Sequence, residues 1–263
     1  MQTIKWLIPH TPKKLFTSTA ENFQRHLDEL TNKKFKIELV STPYNSLSVE
    51  SNPVSQLKDG TVQMSEIYAN LLGKHGATDL YALILPCLFE DRDHANRVFN
   101  GEIGKKLLKH LHEKTGLCGL GFKWMSITKD FYPKIDNPRF YPTYPRYYPG
   151  GWWSGLMDGD SKMLEHNPIM NDLTDLVMSN ILNVADDTHS TYLTVLVLNE
   201  EFMKSLSSQD KANFYEASNR VSHTKQKKAR WTNAEIEKLR NIWSLLYKKY
   251  ENYFSFDIIN EIK

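Results

Sequence analysis

IKWLIPHTPKKLFTSTAENFQRHLDELTNKKFKIELV, residues 4–40, is the stretch that sets the fold. Ile4 to Ile8 is a β-rich run, and Pro9, His10, Thr11 and Pro12 end it as a loop. Apolar residues then recur at Phe16, Ala20, Phe23, Leu27 and Leu30, spacings of three and four that predict an amphipathic helix. Lys34 to Val40 alternates polar with apolar, the pattern of a half-buried strand. Working outward, Val49 to Leu57 is a weaker helix closed by Asp59-Gly60, and TVQMSEIYA (residues 61–69) returns to a strand. A β-α-β-α-β order over so short a span implies a mainly parallel sheet covered by helices.

Further on, Pro86 breaks an apolar run, and Asp91 is placed to cap a helix holding Ala95, Val98 and Phe99. Gly101 separates it from a second helix carrying Ile103, Leu107, Leu108 and Leu111, and Leu117 to Trp124 is strand-like again. From about Asp130 to Asp160 the texture changes to a proline-, glycine- and aromatic-rich stretch with no clear period. Helix and sheet interiors both resist that many prolines, and its many rings favour an ordered loop over a disordered linker. Regular structure resumes with a helix around Ile169 to Met178 and strand-like runs at Ile181–Val184 and Tyr192–Leu198. Ser207 with Asp210 forms a capping box for the helix holding Phe214 and Ala217. Beyond a basic run at 223–230, Thr232 and Glu235 open a final helix that carries Ile236, Leu239, Ile242, Trp243, Leu246 and Tyr250.

Composition excludes several classes. Thirty-three basic and 31 acidic side chains leave a formal charge of +2, without the basic excess of a nucleic-acid binder. Cys87 and Cys118 are too few for a disulfide scaffold, and both lie in apolar surroundings, so buried thiols are expected. No apolar run approaches the roughly 20 residues of a membrane span. A strand follows Met1 almost at once in place of a leader, so either a mature form or a cytoplasmic protein is expected. HExxH, GxSxG, P-loop and strand-borne GxGxxG motifs are all missing, which argues against an enzyme. His110 and His112 lie two apart on a helix and so point to different faces, and Asp158-Gly159-Asp160 reads as a turn; neither metal nor cofactor is expected.

LPCLFEDRDHANRVFNGEIGKKL (residues 85–107) resembles a characteristic segment of the DctP-type binding proteins of tripartite ATP-independent periplasmic (TRAP) transporters. KDGTVQM at 58–64, His166-Asn167-Pro168, VLVLNEEFMKSLSSQD at 195–210 and the tail LLYKKYENYFSFDIINEIK are similar to further motifs of that family, in the same order. The resemblance implies a periplasmic-binding-protein-like α/β fold: two α/β lobes around a hinge, closing on a ligand in the cleft. It further implies a protein that captures a small carboxylate in the periplasm and delivers it to TRAP-type permease subunits, as a monomer and without catalysis. The family's second-lobe strand and helices before Asn-Pro are replaced here by the shorter proline- and tyrosine-rich stretch, so a reduced second lobe is expected. The boundaries that follow are a first lobe over 1–124 and 193–229, a second over 125–192, and C-terminal helices over 230–263.

In that family a second-lobe arginine holds the substrate carboxylate, since a guanidinium offers two parallel hydrogen bonds to a planar anion. Its motif is missing here, leaving Arg139 and Arg146 as the candidates within the replaced stretch. Arg146 is flanked by Tyr144, Tyr147 and Tyr148, which could hold it by ring stacking or simply pack it on a surface loop. Asn167 matches a cleft-lining position, and it suits a helix N-cap before Pro168 equally well. His10 follows the first strand, where strand C-termini face a cleft in open α/β sheets, and a plain turn histidine is the other reading. Tyr68 and Asn70, expected to end the third strand, carry the same argument, whereas Glu66 would repel an anion unless it meets an amine. His189 reads as a hinge or packing residue, and Trp152 and Trp153 as core or pocket floor. A rival function is a non-transport interaction or ligand-sensing module on a degenerate binding-protein fold.

Overall fold

A computed structural model of the chain describes residues 1–10, 13–41, 52–84, 88–89, 92–126, 191–222, 244, 248–249, 254 and 257–262. Strand β1 (Gln2–Ile8) buries Trp6, Leu7 and Ile8 in succession, which places its C-terminal half between two covered layers. Helix α1 (Lys13–Thr31) lays Phe16, Ala20, Phe23 and Leu27 against it, each of them all but inaccessible to solvent. Burying the large apolar members of this stripe contributes about 1.5–3 kcal/mol apiece. Asn32 and Lys33 take left-handed backbone conformations (φ 49° and 60°) and turn the chain into β2 (Phe35–Ser41). Strand β2 pairs in parallel with β1, from Gln2 opposite Phe35 to Ile8 opposite Ser41.

Helix α2 (Pro53–Lys58) opens with Asn52 accepting from the Val54 N–H at 2.9 Å, and Pro53 needs no donor there. Strand β3 (Met64–Tyr68) is shorter than the alternation over 61–69 suggests. The Asp59-Gly60 turn extends past Gly60 (φ 79°), with Asp59 accepting from the Thr61 N–H at 2.8 Å, and the strand starts only at Met64. Its other end is cut by helix α3 (Ala69–Lys74), so Tyr68 ends the strand but Asn70 does not. The helix-forming run ANLLGK takes over at Ala69. After a 3-10 segment (Thr78–Ile84) come α4 (Arg92–Asn100), α5 (Glu102–Thr115) and β4 (Cys118–Ser126). Helices α4 and α5 meet closely: a Cβ on Gly104 would lie 1.9 Å from the Phe99 carbonyl oxygen. Then β5 (Thr191–Leu198), α6 (Glu200–Ser205), α7 (Ser208–Ser222) and α8 (Ile258–Ile262) follow. The capping box read at α7 is present, with Ser207 Oγ accepting from the Asp210 N–H at 3.1 Å and donating to its carboxylate at 2.6 Å.

The sheet order is β2-β1-β3-β5-β4. Three strands are parallel, as expected, but β5 runs antiparallel to both β3 and β4. Leu7, Ile67, Val195, Val197 and Phe122 face a core shared with the helices from α2 to α5 and with Ile258, Ile259 and Ile262. Ile4, Trp6, Met64, Tyr68 and Leu196 face the opposite core, under α1 and α7. The result is a three-layer α/β/α lobe. Among the described residues no helix is long and apolar enough to cross a membrane. The helix at 169–178, the strand-like run at 181–184 and the final helix from Thr232 lie outside the described residues or are described only at isolated positions.

Candidate ligand-binding site

Strand β4 leaves the sheet at Ser126, and β5 rejoins it at Thr191, directly opposite in the antiparallel register. Because β4 points the same way as β1 and β3, Ser126 and Thr191 lie at the edge where those strands end. His10 and Tyr68 stand at this edge. His10 is 3 % exposed, and its Nε2 accepts from the Tyr68 N–H at 3.4 Å. The two rings lie 4.3 Å apart, and Phe16 closes the group at 5.1 Å from His10 and 5.5 Å, edge-on, from Tyr68. Asn70 belongs to the first turn of α3, just beyond this cluster in sequence.

Glu66, one pleat before Tyr68, is fully buried, and the amine it requires is Lys123. The Lys123 Nζ lies 3.2 Å from Glu66 Oε1 and also donates to Thr19 Oγ1 on α1. Thr194 Oγ1 donates to the same carboxylate oxygen at 2.6 Å. Glu66 Oε2 is shut off from solvent and accepts no hydrogen bond. These four side chains come from α1, β3, β4 and β5, so four elements meet at one polar cluster on the α1 face of the sheet. Sequence reading singled out Glu66 alone. The available signal for its partner was Lys123, a lone charge in the otherwise uncharged strand CGLGFKWMS.

Arg139, Arg146, Trp152, Trp153, Asn167 and His189 lie outside the described residues, as do Asp158-Gly159-Asp160 and Cys87. Cys118 is half-buried rather than buried, because it opens β4 at the far edge of the sheet. Burial, with Glu200 nearby, raises its thiol above the ordinary range. His110 and His112 do face apart: His110 sits 3.4 Å from the buried Asp79, while His112 lies near Cys118 and Glu200. Among the described residues no group of three or more side chains could hold a metal ion.

Fold and edge together define a three-layer α/β/α lobe in which β4 ends and β5 begins at the edge where the central strands end. The family model for bacterial extracellular solute-binding proteins, family 7 (DctP), matches residues 9–138. The chain is 32 % identical over 123 residues to the C4-dicarboxylate-binding periplasmic protein DctP of Rhodobacter capsulatus, covering 45 % of this chain and 35 % of that protein. It is 33 % identical over 109 residues to an uncharacterized protein of Haemophilus influenzae, covering 40 % and 31 %. The chain thus spans about a third of the length of the curated relatives it matches. A TRAP periplasmic solute-binding protein from Polaromonas sp. JS666, solved bound to D-erythronate, superimposes with a TM-score of 0.61 at 17 % identity, covering 100 % of this chain and 98 % of that one. The sugar acid binding protein DctPAm from Advenella mimigardefordensis, in complex with galactonate, gives 0.61 at 15 % identity, covering 99 % and 96 %. At such identities the likeness is one of fold. Over residues 9–138 the chain is thus similar to the TRAP-type solute-binding proteins, and the resemblance read from its motifs is borne out.

Proposed function

We propose that this protein is an extracytoplasmic solute-binding protein that captures a small organic acid and presents it to a TRAP-type membrane transporter. The observation that carries this reading is the exit at Ser126 and return at Thr191 beside the buried His10–Tyr68 pair. A second segment joined at that edge can close over a ligand held at the strand ends, which is how open α/β sheets bind. The matched family, and the acids named for the fold neighbours, support a carboxylate as the solute.

In this reading His10 and Tyr68 form the first-lobe wall with Asn70 beside them, and Arg146, Asn167 and Arg139 are the second-lobe candidates. A guanidinium in that segment would hold the carboxylate. The proposed organisation is a first lobe over 1–124 and 193–229, a shortened second lobe over 125–192 and C-terminal helices over 230–263. The protein would act as a periplasmic monomer, with permease subunits as its partners, and would release the solute unchanged.

Isothermal titration calorimetry against a panel of aliphatic organic acids tests the proposal. At least one acid should bind and raise the unfolding temperature, as any ligand selective for the native state does. If no acid in the panel binds or stabilises the chain, the proposal fails.

A further inference from the structure

We infer that the Gln24 side chain closes the outer edge of the sheet against a second copy of this chain, by occupying the place where β2 of that copy would pair. Such a guard keeps the chain monomeric whether or not an acid is its ligand.

Among the described residues β2 is the outermost strand, and β1 is its partner on the inner side. The Gln2 N–H donates to the Lys34 carbonyl, so the backbone groups of Lys34, Lys36 and Glu38 turn inward. Those of Phe35, Ile37 and Leu39 alternate outward, the open face of an edge strand. Gln24 reaches this edge from α1. Its Oε1 accepts from the Ile37 N–H, and its Nε2 donates to the Phe35 carbonyl at 3.1 Å. A donor at one carbonyl and an acceptor at the N–H two residues on are what a residue of a parallel neighbouring strand would present. The amide also donates to Asp28 Oδ1 at 2.7 Å, one turn further along α1, which holds its oxygen toward Ile37. Gln24 thus stands in for one residue of a sixth strand.

The chemistry of β2 says what is kept out. Lys36 and Glu38 are exposed, and Leu39 is a large apolar side chain left 42 % exposed. Two copies of β2 pairing antiparallel about Ile37 would join their outward backbone groups. That register sets Lys36 opposite Glu38 of the second copy, twice by symmetry. Centring the pair one residue to either side would put Lys36 on Lys36 or Glu38 on Glu38, which like-charge repulsion opposes. The strand is therefore complementary to itself in one register, and the backbone groups at its centre are those that Gln24 engages.

The test is sedimentation equilibrium on the full chain. Gln24→Ala should self-associate at least about tenfold more strongly than wild type, because pairing no longer has to break the two bonds to the edge. Adding Lys36→Glu should cancel that gain, since the new carboxylates meet Glu38 at both ends of the pair. Adding Glu38→Lys as well should restore it. A Gln24→Ala protein no more associated than wild type overturns the inference, and so does association that Lys36→Glu leaves unchanged. Gln24→Met keeps the length of the side chain without its bonds, and replaces the alanine variant should that one not fold. Hydrogen exchange on the wild type decides independently: the Ile37 amide should be protected, and exchange at the rate of an open amide overturns the inference.

Discussion

Replacing Lys123 with methionine tests the buried Glu66–Lys123 ion pair. Glu66 is fully buried, the Lys123 side chain is 9 % exposed, and Nζ stands 3.2 Å from Oε1. At an effective dielectric constant of about 20, that separation corresponds to a Coulomb attraction of about 5 kcal/mol before desolvation is counted. Methionine fills similar space but leaves Glu66 as a buried, unpaired charge, which typically costs about 3–5 kcal/mol. In a domain of this size each kcal/mol moves the midpoint by about 2–4 °C, so the melting temperature should fall by roughly 10 °C. Urea unfolding followed by circular dichroism measures the loss directly. The double variant Glu66→Leu/Lys123→Met removes both charges and should recover most of it, because a buried pair is costly mainly when half of it is deleted. A loss below about 1 kcal/mol in Lys123→Met, or a double variant as unstable as the two single changes summed, would refute the reasoning.

Three other substitutions probe the packing and capping of the lobe. Gly104→Ala should cost at least about 1–3 kcal/mol by denaturant titration, because its methyl group would meet the Phe99 carbonyl at 1.9 Å, inside contact distance, and backbone must move. Ser207→Ala removes the cap of α7 and should cost about 1 kcal/mol, read as a shift in the urea midpoint at constant slope. Asp210 is held below the usual carboxylate range by its bond to Lys34 and then by the Ser207 hydroxyl, and it is nearly buried. A carboxyl depressed in the folded state contributes stability that is present above its unfolded value and lost as pH falls through its folded one. Stability should therefore drop below about pH 4, and Asp210→Asn should flatten that part of the profile while costing stability at neutral pH.

Much of the lobe was legible from local pattern. The α1 stripe from Phe16 to Leu27 lies where its spacing predicts, because a period near 3.6 puts those residues on one face whatever they pack against. The same holds for β1, β2 and the Ser207–Asp210 box, whose geometry is settled within a few residues. Asn70 was misplaced because strand and helix propensities compete over MSEIYANLLGK, and a pattern of period two gives no stop signal at Tyr68. The proline- and tyrosine-rich stretch with Arg139 and Arg146 has no period to read, so its chemistry enters only as proposal.

By itself the sequence determined the elements, the parallel start of the sheet and, through its motifs, the family resemblance. Only the tertiary structure decided that β5 enters between β3 and β4 and that Lys123 answers Glu66. Those partners lie 57 residues apart, and Thr194 lies 128 away, so no local spacing encodes their meeting. Strand order is chosen by which apolar faces can be buried together, a property of the whole chain. The buried Glu66–Lys123 pair and the solvent-shielded Oε2 beside it follow from that choice.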